Sequence, residues 1–79
     1  MKQAVDLIFP KDLIREPVIC QMARDVPVTF NIRRAKVTEK IGEIVLELEG
    51  SETDLTLACD YLKQRGIKVE PITHDTFES

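Results

Sequence analysis

Residues 29–50 read TFNIRRAKVTEKIGEIVLELEG, and how the first half of that stretch meets the second decides the fold. Together with Val28, Phe30 and Ile32 alternate against Thr29 and Asn31, the period of two that marks a half-buried strand. A strict continuation would turn Arg34 and Lys36 inward, yet the apolar residues further on are Ala35 and Val37. One extra residue near the Arg33-Arg34 pair reconciles the halves, because a β-bulge moves the inward set of a strand by one. Past residues 40–43, where Gly42 suits a tight turn, Ile44, Leu46 and Leu48 alternate against Val45, Glu47 and Glu49. The stretch predicts a hairpin with a bulged first strand, one apolar face and one charged face.

Upstream, Val5, Leu7 and Phe9, with Ile8 added, predict a strand over residues 3–9 that Pro10 ends. Residues 11–16 form a connection to Pro17, which suits the first turn of a helix. There Val18, Ile19, Met22 and Ala23 fall on one face. Downstream, Ser51 offers an N-cap, with Asp54 in the first turn. Leu55, Ala58, Cys59 and Leu62 make one stripe, and Lys63, Arg65 and Gly66 form a C-terminal stop. Ile67, Val69 and Ile72 predict a last strand, with Pro71 at an edge or strand end. The ordered core is expected over about residues 3–73, with residues 74–79 a polar tail from which Phe77 packs back. Strand, helix, strand, strand, helix, strand is the order of a ferredoxin-like α+β sandwich: a four-stranded antiparallel sheet with two helices on one face.

Composition limits what such a domain does. The 79 residues make one domain, 43% hydrophobic and 32% charged, whose single core supplies about 3–5 kcal/mol net, so self-association would help it. A net charge of -3, with no cationic cluster beyond Arg33-Arg34, argues against nucleic acid and against an anionic membrane surface. The apolar run at the amino terminus is interrupted by Asp6. No stretch approaches the roughly 18 apolar residues of a spanning helix, so neither leader nor anchor is read and a cytoplasmic location is expected. Cys20 and Cys59 each sit in an apolar helical pattern and are expected as buried, reduced thiols. There is no closely spaced cysteine pair and His74 is the sole histidine, so no metal and no cofactor is expected.

Catalysis finds no foothold: His74 lies in the polar tail, the thiols lie in core stripes, Glu47 and Glu49 make a charged outer sheet face, and no glycine-rich loop cradles phosphate. The chain is expected not to be an enzyme. Met22 reads as core filler and Tyr61 as amphipathic cover. Asn31 stands apart, because asparagine is a poor strand former. Beside a bulge its amide either satisfies local backbone groups or accepts from an ammonium and donates to a carboxylate of a ligand. Arg33 and Arg34 read as solvated, as paired with the acidic strand, or as a fork for a carboxylate.

NIRRAKV on the second strand, GEIVLELEG, a capped helix ending YLKQRG, and IKVEPI, with PVICQMARD upstream, together resemble the NIL domain. This small ferredoxin-like module occurs at the carboxyl end of methionine-importer ATPase subunits, in ferredoxin-type proteins and as a free-standing chain. The likeness covers about residues 5–72, and the starting methionine suits a free-standing chain. The resemblance implies a regulatory domain that binds methionine or a related amino acid at a homodimer interface. The family's namesake Asn-Ile-Leu falls on Asn31, Ile32 and Arg33, making these the implied ligand-binding residues, with Arg33 where the family has leucine. The alternative from a different class is a protein-interaction module of methionine transport or sulfur metabolism, docking a partner on a sheet face or edge with no small ligand.

Overall fold

The computed structural model describes residues 1–72. His74 and Phe77, and with them the expected tail, lie outside the described residues. The chain runs β1 (Lys2–Pro10), a 3-10 turn (Lys11–Leu13), α1 (Val18–Asp25), β2 (Thr29–Val37), β3 (Ile41–Glu49), α2 (Glu52–Gln64) and β4 (Lys68–Ile72). The four strands form one antiparallel sheet in the order β2-β3-β1-β4. Each helix crosses over a strand that its two flanking strands enclose, so both helices land on one face. The ferredoxin-like α+β architecture read from the sequence is the one observed.

The alternation sets the two faces. Val5, Leu7 and Phe9 of β1, with Leu46 and Leu48 of β3, turn to the helices and are buried. Val18 and Met22 of α1 and Leu55, Ala58 and Leu62 of α2 meet them in the same core. The opposite face carries Asp6, Arg34, Lys36, Glu43, Glu47 and Glu70, with Val45, 1% exposed, buried among them. The expected bulge is present: Ile32 pairs with Leu46 and Arg34 with Val45, leaving Arg33 as the extra residue.

Two expectations need correction. Gly42 is not in the turn but inside β3, paired with both Phe9 and Val37. Thr38 makes the turn instead, its N–H and Oγ1 both donating to the Ile41 carbonyl while Oγ1 accepts from the Lys40 and Ile41 amides. Cys20 is exposed and only Cys59 is half-buried, so the pair of buried thiols is not found. Cys20 stands half a turn away from the Val18–Met22 stripe, on the side of α1 that leaves the core.

The caps of α2 follow the sequence closely. Ser51 Oγ accepts from the Asp54 amide at 3.0 Å. At the other end Gly66, at φ 95°, lets its own amide reach the Lys63 carbonyl and the Ile67 amide reach that of Leu62. This is a Schellman closure, with Ile67 and Leu62 packed together in the core. A side chain at a left-handed position costs about 1–2 kcal/mol, and a Cβ at Gly66 would also lie 3.3 Å from Leu13 Cδ1. Gly66→Ala is therefore expected to lower the thermal midpoint by roughly 5–15 °C, read by circular dichroism.

Candidate functional site

Eight residues of α1 are too few to roof the whole sheet. At the hairpin end of β2 and β3 the helix-side residues are left half covered, flanked by the chain that climbs from β1 to α1. Ile14, Glu16 and Pro17 from that connection, with Val18 and Cys20 from α1, form one wall of a groove. Phe9, Phe30, Ile32, Val37, Gly42 and Ile44 form its floor and opposite wall. Its volume is about 270 Å3, near the small end of ligand pockets, and its lining is almost wholly apolar. Ile32 and Val37, 50% and 58% exposed, line its open side along the β2 edge. Because β2 is an edge strand, every second residue keeps an N–H and a C=O facing outward there, so backbone polar groups adjoin the apolar slot.

The three residues singled out in the sequence divide between faces. Ile32 enters the groove. Asn31 lies on the helix-free face, exposed, across from Glu47. Arg33 is the extra residue of the bulge, also exposed. They meet at the β2 edge, and only Ile32 contributes a side chain to the slot. The groove itself is not legible in the sequence, where most of its lining residues read as core, connection or helix, Gly42 reads as a turn and only Ile32 is implied as a ligand contact. The signal that could have found it is the shortness of α1.

Chemically the groove can hold an apolar side chain and exclude water from it. Among the described residues no three His, Cys, Asp or Glu side chains are placed to hold a metal ion. No helix of the described residues is long and apolar enough to cross a membrane.

A second feature escaped the sequence reading. Asp6, on the central strand β1 and on the helix-free face, has Oδ1 buried without a hydrogen-bond partner. Burial raises its pKa from 3.8 to about 6, helped by a hydrogen bond shared with Glu43 and by the charges of Glu43 and Glu70, against the pull of Arg34. Glu70 stands directly across from it on β4, and Glu43 lies on the diagonal through Val45 on β3. Three acids thus share a patch in which Arg34 pulls against the rise, Lys68 pairs with Glu70 at 3.6 Å and Lys36 stands across from Glu43. Burial also pushes the Cys59 thiol above its ordinary range.

Comparison with known proteins gives these features a family. The model of the NIL domain matches residues 3–71. The methionine import ATP-binding proteins MetN of Cupriavidus metallidurans and Cupriavidus pinatubonensis are each 31% identical over 72 residues, covering 86% of this chain and 21% of theirs. MetN 2 of Bacillus licheniformis is 25% identical over 76 residues, covering 91% and 22%. The chain thus spans about a fifth of the length of the relatives it matches. A solved structure, the C-terminal domain of an ABC transporter ATP-binding protein from Enterococcus faecalis, superposes with a TM-score of 0.79 at 19% identity, over 92% of this chain and 86% of that one. The family model matches from the first strand to the last, over nearly the whole described chain: the chain belongs to the NIL domain family.

Proposed function

We propose that this chain is a non-catalytic regulatory domain that binds methionine or a related amino acid with an apolar side chain, in a site closed by a second copy of itself. The observation that carries the reading is the apolar groove at the β2 edge, with Ile32 as part of its lining and Asn31 next to it on the same strand. An unbranched thioether fits an apolar slot of this size, and outward backbone groups beside Asn31 suit the polar end. One protomer leaves the slot open along the edge. A second protomer against β2 would cover it and bring Asn31, which faces away from the slot, into the seam. The relatives' role in methionine import supports an output on transport, exerted on the cytoplasmic side through a separate protein or chain segment.

The test is a thermal melt of the chain with L-methionine and a panel of other amino acids, at two protein concentrations. A ligand at about one hundred times its dissociation constant adds about 2.7 kcal/mol, a rise of roughly ten degrees or more for a domain this small. Asn31→Ala is expected to weaken binding by about 1–3 kcal/mol. Ile32→Asp, at a half-exposed position, is expected to leave the fold intact and remove the methionine shift. No shift with any amino acid would sink the reading. A midpoint that then still rises with protein concentration would favour the second reading, an interaction module docking through the exposed β2 edge.

A further inference from the structure

One wall of the groove is held from behind. The eight residues of α1 fall short of the roughly 12–15 at which an isolated helix becomes even marginal in water, and Pro17 at its start gives no side-chain cap. The place of this helix is therefore set by what it packs on. Val18 and Met22 seat it in the core, with Ile19 and Ala23 packed beside them. Apolar contact is non-directional, so it seats the helix without fixing where each flank stands.

Hydrogen bonds fix the flank. Successive residues of a helix stand about 100° apart, so Cys20 lines the groove while Gln21, with Asp25 one turn on, meets α2. Arg65 reaches across from the end of α2: its Nη2 donates to Gln21 Oε1 at 2.7 Å and its Nη1 to Tyr61 Oη at 3.0 Å. Tyr61 Oη in turn donates to Asp25 Oδ2 at 3.2 Å, and the guanidinium lies 5.6 Å from the centre of the Tyr61 ring. The α2 end of this clasp is firm. The Arg65 amide is bonded to the Tyr61 and Leu62 carbonyls beside the Schellman closure, and Tyr61 packs against the core. A hydroxyl that accepts from a guanidinium donates more strongly to a carboxylate, so the links support one another. Gln21, Asp25, Tyr61 and Arg65 all stand outside the groove lining.

Resting on the reading of the groove as an amino-acid site, we infer that Arg65 and Tyr61 are its positioning residues: by clasping α1 to α2 they fix the wall carried by Val18 and Cys20, and with it the width of the slot. An unbranched side chain is thereby favoured over a branched one by residues that do not touch it. Arg65 suits the part because a planar fork serves two acceptors at once, which an ammonium on a flexible stem does not.

The experiment pairs amide hydrogen exchange over residues 18–25 with binding of L-methionine and of L-leucine, whose branched end is wider. Tyr61→Phe removes the hydroxyl and keeps the ring, Arg65→Met removes the fork, and Gln21→Glu keeps an acceptor for Arg65. Cys59→Ala loosens α2 away from the clasp. A wall in place a tenth of the time weakens binding about tenfold. Tyr61→Phe and Arg65→Met are therefore expected to exchange about tenfold faster in α1 with β1 and β3 unchanged, to bind methionine about tenfold more weakly, and to narrow its preference over leucine. Gln21→Glu is expected to keep the natural values. Cys59→Ala is expected to lower the melting midpoint with the preference intact, which separates positioning from lost stability. Unchanged exchange in α1 for both clasp variants, or faster exchange with the methionine preference intact, would overturn the inference while leaving the groove as the site. A natural chain that binds neither amino acid overturns both.

Discussion

Deleting Val45 is expected to leave no folded protein, whereas deleting Arg33 is expected to leave a cooperative melt within a few degrees of the natural chain. Val45 sits in an unbroken ladder with β1, paired with Asp6, and stands opposite Arg34 beside the bulge on the other side. Without it, one half of β3 slips by a residue and turns its side chains to the wrong face. If the second half slips, Leu46 and Leu48, both fully buried, move into water; if the first half slips, Gly42 and Ile44 leave the groove floor. Exposing two leucines costs about 1.5–3 kcal/mol each, against a net stability of about 3–5 kcal/mol for a domain of this size. Arg33 is the residue the β2–β3 register passes over, between Ile32 opposite Leu46 and Arg34 opposite Val45. Its removal joins Ile32 to Arg34 with the alternation intact: Ile32 in, Arg34 out, Ala35 in, Lys36 out, Val37 in. The pairing that skips from Ile32 to Arg34 becomes an ordinary one, with a little less twist at the edge. Far-ultraviolet circular dichroism of the two deletions decides the matter. An unfolded chain lacking Arg33 would show that the bulge holds the strand in a shape the fold needs.

That asymmetry was legible in the sequence because it depends on one thing, the period of the apolar residues, which breaks phase between Ile32 and Ala35. The helices were legible for the same reason, and the Schellman closure because Gly66 follows Lys63 and Arg65. Other features depend on where elements end and what crosses from strand to strand, and these a single chain does not display. Gly42 carries no side chain to announce a face, so it reads as a turn when it is a strand residue that leaves room for the groove. A Cβ there would sit at ordinary contact distances, 3.6 Å from Phe9 Cβ and 3.7 Å from Ile14 Cγ1. The space at this position is therefore spare, and it belongs to the groove. The groove arises from an eight-residue helix set over a nine-residue hairpin arm, a mismatch visible only once both are placed. Asn31 and Ile32 are neighbours in the chain but lie on opposite faces, so a motif that reads as one contact becomes two.

Asp6→Asn is expected to stabilise the protein by about 1–2 kcal/mol above pH 7, raising the midpoint by roughly five to ten degrees, and to flatten its pH dependence between about pH 4 and 6. The carboxyl has a pKa of 3.8 in the unfolded chain and about 6 in the fold. In that interval the folded state holds a proton that the unfolded state has released. Stability contributed by the protonated group is therefore present at the acid end, is lost as pH rises through the interval, and is wholly gone above it. Each pKa unit corresponds to about 1.4 kcal/mol, so a rise of this size carries about 3 kcal/mol at most, part of which solvent at the half-buried site screens. Asparagine keeps the shape and supplies a donor toward Glu43 without a charge, which is what the protonated acid does. Melts of the natural chain at pH 5 and pH 8 set the slope, and the same pair on Asp6→Asn removes it. Equal midpoints for the two proteins at pH 8 would mean that burial, Glu43 and Glu70 leave the carboxylate unstrained, with Arg34, Lys36 and the Lys68–Glu70 pair together balancing the patch.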